Sequence, residues 1–212
     1  VDFGAPREVS LIYPSKLFFN CLLAPDIGGA TSLCRSDVLW DLLSERAPDF
    51  AQKCESLGLK YTHIMPAEAD AKSGQGRSWK GTFNVSTREE AEARMTELGY
   101  TWLWLENEAI KVSSPTLPAV RLHKSGRKAF FNQLIAALSW HSDIGDVSKS
   151  ITFGDDSALD LDGAKVAVDL ANSIIFDVPW QASDVALIDN FVVMHGRRTF
   201  QGKRRVLASF VP

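Results

Sequence analysis

The stretch DVALIDNFVVMHGRRTF, residues 184–200, is followed by RRVLASF, residues 204–210. Apolar runs separated by polar turn residues predict two C-terminal β-strands here. The first strand carries His195 at its end, and the second begins with the pair Arg204 and Arg205. A histidine and an arginine on successive strands predict a chemical site as well as a hairpin.

The rest of the chain mixes short apolar runs with helical segments. Strands are predicted at residues 16–23, 61–65, 102–105, 110–112 and 119–122, and residues 129–140 predict a strand that runs into a helix. Helices are predicted at residues 37–46, with Ser36 as the cap, and at residues 48–57, 87–98 and 162–175. Many short strands with inserted helices favour a β-sandwich or jelly roll over a regular βαβ array.

The composition is that of an ordinary globular protein. A length of 212 residues, 45% hydrophobic residues and a formal charge of −3 fit a single domain over residues 1–212. Without a concentrated basic face, we expect neither a nucleic acid nor an anionic membrane as partner, and nothing predicts an oligomeric state. No apolar run reaches the roughly 18 residues of a membrane span, so a cytoplasmic location is expected. Because the sequence opens on Val1 rather than Met, we expect that residues are missing at its start.

The three cysteines are Cys21, Cys34 and Cys54. Their spacing matches neither a zinc knuckle nor the disulfide framework of a small secreted domain. They are predicted to be reduced, buried thiols.

His195 stands out among the four histidines because of the residues around it. A short hairpin would fold Arg205 back alongside His195. Since adjacent residues of a strand face opposite sides, Arg205 is predicted to point inward and Arg204 into solvent. A guanidinium inside an apolar barrel requires a buried anion, and histidine is the commonest metal ligand. The other histidines and the tryptophans are interpreted as structural or surface residues.

Several further segments occur in the order of a known enzyme family. They are YPSKLFF at 13–19, GGAT at 28–31, GRSWKGTF at 76–83 and FNQ at 131–133, followed by HGRR at 195–198 and RRVLAS at 204–209. Together they resemble the iron(II)/2-oxoglutarate-dependent dioxygenases of the taurine dioxygenase and clavaminate-synthase-like family. The resemblance spans most of the chain and is specific in combination.

The resemblance implies a mainly β fold with inserted helices, a double-stranded β-helix of the jelly-roll, cupin-like type. It also implies iron(II) held by two histidines and one carboxylate, with 2-oxoglutarate and oxygen at the open positions. By the same resemblance, His195 is the distal iron ligand, while Arg205 and Thr31 bind the far carboxylate of 2-oxoglutarate. Arg77 and Asn132 lie in family-like segments and are candidates to contact substrate or co-substrate.

The sequence departs from the family pattern in two places. The family places a His-x-Asp or His-x-Glu pair before the segment at 13–19. This chain has Glu8 as the candidate carboxylate ligand of that pair, and no histidine before His63. Either residues around the first ligand are missing, or the proximal ligand has been lost. We favour the first account, because His195, Thr31 and Arg205 would have little purpose in an inactive scaffold. Ser209 stands where taurine-type members carry a second arginine, which argues against a sulfonate substrate.

The expected function is therefore oxidation of a small molecule, an amino acid or a natural-product intermediate, with succinate and CO2 as co-products. The alternative is a catalytically inactive jelly-roll module that binds a small carboxylate ligand. Residues 66–78 are rich in Ala, Asp, Gly and Ser and predict a mobile loop that covers the site.

Overall fold

The computed structural model describes residues 14–69, 78–140 and 150–211. The strands, β1 to β14 in chain order, are Lys16–Leu23, Ile27–Gly28, Thr31–Arg35, Leu59–Met65, Thr101–Trp104, Ile110–Ser113, Val120–Leu122, Lys128–Phe130, Ile151–Phe153, Phe176–Val178, Val185–Asp189, Val193–Arg197, Phe200–Gln201 and Arg205–Val211. The helices, α1 to α6, are Ser36–Arg46, Pro48–Leu57, Trp79–Phe83, Arg88–Glu97, Leu134–Trp140 and Leu161–Ile174.

Two antiparallel sheets of three strands face each other. β1 lies between β11 and β14 in the first sheet, and β3 lies between β10 and β12 in the second. Leu17 and Ile188 of the first sheet share a buried cluster with Leu33 of the second. Sheets that bury their inner faces against each other form the sandwich of a jelly roll. This arrangement agrees with the predicted double-stranded β-helix.

The side chains of β1 alternate between the two faces of its sheet. Leu17 and Cys21 are buried on the inner face, where Phe19 also packs, while Phe18 and Leu22 are exposed on the outer face. A period of two is what a strand imposes on its side chains. The alternation therefore turns Phe19 toward the second sheet.

Helices and a further sheet complete the core. α1, α2 and α6 pack around a large buried cluster that includes Leu39, Phe50 and Ala164. The strands β5, β6, β4 and β9 form a four-stranded sheet in that order. α3 and α4 cover part of that sheet through Phe83 and Met95. Of the described helices, none has the length and apolar character needed to cross a membrane.

Most predicted elements are confirmed. The capping box at Thr87 and Glu90 opens α4, and Gly58 follows α2 with a positive φ of 68°. The three cysteines are buried free thiols, and burial raises the pKa of Cys34 and Cys54 to about 12, so both stay protonated.

Two predicted local features are wrong. Ser36 does not cap α1: it is the first residue of the helix, and its buried hydroxyl has no hydrogen-bond partner among the described residues. The two C-terminal strands do not form a hairpin either, because β12 pairs with β3 whereas β14 pairs with β1. The short strand β13 lies between them in the chain and pairs with β2.

Candidate active site

His195 lies on β12, and its side chain faces the space between the two three-stranded sheets. It stands opposite Leu33 of β3, and its ring meets Phe19 of β1 edge-on, with ring centroids 5.4 Å apart. Burial lowers the pKa of His195 below its ordinary value, so the imidazole is neutral near pH 7. No hydrogen bond ties either ring nitrogen to another residue of the described ranges. A ring nitrogen of His195 is thus available to a metal ion.

Thr31 shares this face of the second sheet. It lies two residues before Leu33 on β3, so its side chain points to the same side as that of His195. Thr31 is only 4% exposed. Its hydroxyl oxygen accepts a hydrogen bond from Nε1 of Trp180 at 2.8 Å and a longer one from Nη2 of Arg204 at 3.4 Å.

Arg204 reaches this hydroxyl from the segment between β13 and β14. Its Nε donates to the carbonyl oxygen of Gly29 at 2.8 Å. Gly29 has a φ of +69°, and a Cβ there would lie 2.5 Å from Cγ of Pro25, 3.0 Å from Cβ of Phe200 and 3.1 Å from Cδ of Arg204. Only a glycine fits between these side chains without strain.

The guanidinium of Arg204 is not neutralised within the described ranges, where it forms no ion pair with a carboxylate. Partial burial, and then the charge of Arg197, lower the pKa of Arg204. A bound carboxylate would oppose both effects. This places a guanidinium without a carboxylate partner in the described ranges close to the hydroxyl of Thr31, on the face that also carries His195.

Comparison with known proteins shows the family to which the chain belongs. The sequence profile that matches residues 9–210, nearly the whole chain, is that of the taurine catabolism dioxygenase TauD, TfdA family. The chain belongs to the TauD/TfdA family.

Two curated relatives and a solved structure extend the family assignment. A clavaminate synthase-like protein of Arabidopsis thaliana is 38% identical over 199 residues, which cover 93% of this chain and 60% of that protein. The dapdiamide synthesis protein DdaC of Enterobacter agglomerans is 24% identical over 221 residues, covering 94% and 62%. The chain thus spans about three fifths of the length of these relatives. An asparagine oxygenase superimposes with a TM-score of 0.55 at 10% identity, covering 99% of this chain and 48% of that one, which confirms the fold.

In this TauD/TfdA chain the predicted orientation of the arginine pair is wrong. Arg205 is exposed, whereas Arg204 is partly buried and contacts Thr31. The prediction assumed regular alternation after a hairpin. Arg204 instead precedes β14, outside the ladder, and the pairing of β14 with β1 shifts register between Cys21 and Leu23. Strand alternation therefore does not decide which arginine points inward.

The other predicted site residues are placed as follows. Glu8 and Arg77 lie outside the described residues, as does most of the predicted mobile loop. Asn132 is engaged elsewhere: its Nδ2 donates to the carbonyl oxygen of Ala119 at 2.9 Å, and its Oδ1 accepts from the backbone N–H of Leu134 at 2.9 Å. These bonds fix the start of α5.

Sequence reasoning missed Trp180, which it interpreted as a packing residue. Trp180 is 8% exposed, donates to Thr31 and packs against Phe19 at a centroid distance of 6.5 Å. No residue pattern around Trp180 distinguishes it from the other tryptophans. Only the pairing of distant strands reveals its place in the site.

The residues of the site fit an iron ion and a dicarboxylate in part. A neutral imidazole that hydrogen-bonds to no other described residue is a suitable ligand, and Thr31 with Arg204 suits a carboxylate. The described residues contain no cluster of three or more His, Cys, Asp or Glu that could hold a metal ion. The resemblance implies two histidines and one carboxylate as iron ligands. Of these three, the described residues supply His195.

Proposed function

We propose that this TauD/TfdA chain is an iron(II)/2-oxoglutarate-dependent oxygenase, a single domain that acts on a small-molecule substrate. The observation that carries the proposal is the juxtaposition of His195 with Thr31 and Arg204. Family membership over residues 9–210 supports it. The juxtaposition of the three residues favours the oxygenase over the inactive module, since a module that only binds a carboxylate has no need for a neutral histidine beside its anion site.

His195 is proposed to donate a ring nitrogen to iron(II). Glu8, outside the described residues, is the proposed carboxylate ligand. When bound, iron(II) supplies the chemistry that couples oxygen and 2-oxoglutarate to substrate oxidation, with succinate and CO2 as co-products. Phe19 packs on the imidazole and keeps water from that side of the ring.

Arg204 and Thr31 are proposed to bind the far carboxylate of 2-oxoglutarate. The guanidinium supplies a charge-assisted hydrogen bond, and the hydroxyl supplies a second donor. Fixing the far end of a flexible dicarboxylate sets the position of its reactive end relative to His195. Arg204 replaces Arg205 in this role, because Arg204 is the arginine that contacts Thr31.

The substrate is proposed to be an amino acid or a natural-product intermediate. One curated relative is named for dapdiamide synthesis, and the similar asparagine oxygenase was solved with Fe(II), 3-hydroxyasparagine and succinate. Ser209 in place of a second arginine supports a substrate without a sulfonate. Arg77 and Asn132 remain candidates for substrate contact, although the hydrogen bonds of Asn132 favour a structural role.

The test is succinate formation from 2-oxoglutarate in the presence of iron(II) and oxygen. The wild-type protein should release succinate slowly even without substrate, and His195→Ala should release none. His123→Ala is the matched control. Nδ1 of His123 hydrogen-bonds to the hydroxyl of Ser125, and its Nε2 lies 3.6 Å from Oδ2 of Asp189, so its contacts are separate from those of the site. Absence of both succinate formation and iron-dependent 2-oxoglutarate binding in the wild type would favour the inactive module.

A further inference from the structure

The hydroxyl of Thr31 receives hydrogen bonds from two groups that can only donate. The indole N–H of Trp180 has no acceptor capacity, and neither has the guanidinium of Arg204. Both point at the hydroxyl oxygen, at 2.8 Å and 3.4 Å. These contacts occupy the lone pairs of the oxygen, so the hydroxyl hydrogen has to point away from both donors.

That hydrogen has no acceptor within the described ranges, although Thr31 is only 4% exposed. A buried donor without an acceptor costs free energy, so the site is prepared for a ligand that accepts. A carboxylate oxygen is such an acceptor. Since hydrogen bonds in a chain polarise one another, the bond from Trp180 also makes the hydroxyl a stronger donor.

Trp180 is held firmly enough to impose this direction. Its indole is 8% exposed and packs against Phe19. Two backbone hydrogen bonds join the loop after Trp180 to β1. The N–H of Ser183 donates to the carbonyl oxygen of Cys21 at 2.7 Å, and the N–H of Cys21 donates to the carbonyl oxygen of Asp184 at 2.9 Å. The indole therefore cannot turn away without breaking contacts in both sheets.

We infer that Trp180 is a positioning residue for co-substrate binding: its N–H orients the Thr31 hydroxyl so that the hydroxyl donates to the far carboxylate of 2-oxoglutarate. This inference rests on the proposed function. Trp180 acts through Thr31, so it sets the affinity for the co-substrate and leaves the rate at saturating 2-oxoglutarate nearly unchanged.

Trp180→Phe keeps most of the ring and removes the N–H. The affinity for 2-oxoglutarate should fall about three- to tenfold, the effect of one hydrogen bond. The measurement is calorimetric titration of the Mn(II)-loaded protein with 2-oxoglutarate. Trp79→Phe is the matched control, because Trp79 is 2% exposed and its Nε1 donates to the carbonyl oxygen of Glu108 at 3.0 Å. This control should change the affinity less than twofold, as one expects of a site not coupled to Thr31.

A double-mutant cycle separates positioning from packing. In a Thr31→Val background, Trp180→Phe should cause no further loss of affinity, because the hydroxyl through which it acts is gone. An equal loss in both backgrounds, or wild-type affinity in Trp180→Phe, would overturn the inference while leaving the proposed function intact. A wild-type protein that does not bind 2-oxoglutarate would instead overturn the proposed function, and the inference with it.

Discussion

Arg204 and Arg205 are neighbours in the chain with opposite surroundings, so they give a clean comparison at the scale of single residues. Arg204→Ala should weaken 2-oxoglutarate binding by about 2 kcal/mol or more, roughly 30-fold, because it removes a partly desolvated charge-assisted partner of the carboxylate. Arg205→Ala removes an exposed guanidinium and should change the dissociation constant less than about twofold. The dissociation constants of both variants for 2-oxoglutarate, with Mn(II) in place of iron, test this.

A larger effect of Arg205→Ala than of Arg204→Ala would contradict the placement of Arg204. The matched pair also controls for net charge, since each variant loses one positive charge from the same segment. Measurements at two ionic strengths would show whether any remaining effect of Arg205→Ala comes only from the long-range attraction between charges, which salt screens.

The arginine pair shows what sequence can predict about such a site. The resemblance named His195, Thr31 and Arg205 together. The structure places His195 and Thr31 on one face of the sheet of β3, with Arg204 rather than Arg205 in contact with Thr31. The choice between the two arginines depends on a register shift near Cys21 and on a turn that ends just before β14, and neither has a signature in the residues themselves. Trp180 was missed for a related reason, because its contact with Thr31 joins residues 149 positions apart.

At the scale of elements, Asp37 ties α1 to the hairpin of β7 and β8. Its side chain is 4% exposed and accepts from Arg35 at 2.5 and 2.7 Å and from the backbone N–H of Val38 at 2.9 Å. Arg127, next to β8, lies 3.0 Å from Oδ2 of Asp37. The hydrogen bond from Arg35 above all, with the charges of both arginines, holds the pKa of Asp37 below its ordinary value despite burial.

A carboxyl whose pKa is lower in the folded than in the unfolded protein stabilises the fold when ionised. That contribution is complete above the unfolded value, about 3.9, and is lost as pH falls toward the folded value. Asp37→Asn should therefore lower the free energy of unfolding by about 1–3 kcal/mol at pH 7, and the difference from wild type should shrink below about pH 4. Urea unfolding at pH 7, 5, 4 and 3 measures it.

Asp41→Asn is the control for Asp37→Asn. Asp41 pairs with the same Arg127 at 2.7 Å, but its side chain is 63% exposed, so its loss should cost less than about 1 kcal/mol. If Asp37→Asn were equally destabilising at pH 7 and pH 3, packing rather than ionisation would explain the effect. Local signals such as the Thr87 capping box made most of the helices predictable, although α3 was not predicted. The contacts of Asp37 join three elements, so they could be seen only in the folded structure.

At the scale of the whole molecule, the proposed ligand site joins both halves of the sandwich. His195 and Thr31 belong to the sheet of β3, Arg204 leads into β14 of the other sheet, and Phe19 of β1 lies between. Pairings such as β1 with β11 and β14 connect residues far apart in sequence. Local periodicity predicted strands such as β1 and β4. The sheet order, and the strand β3 that carries Thr31, were not predicted, because both depend on pairing between residues that are distant in sequence.

A ligand held by both sheets should stabilise the folded protein as a unit. With Mn(II) present and 2-oxoglutarate at about 100 times its dissociation constant, linkage predicts about 2.7 kcal/mol of added stability, or a rise in Tm of about 5–10 °C for a chain of this size. Thermal unfolding followed by circular dichroism tests this, with sodium chloride at the same ionic strength as the control. Arg204→Ala should lose most of the rise at the same ligand concentration, because its weaker binding leaves less ligand bound to the folded state. If the rise in Tm were as large in Arg204→Ala as in the wild type, 2-oxoglutarate would be stabilising the protein by binding elsewhere than at the anion site between the sheets.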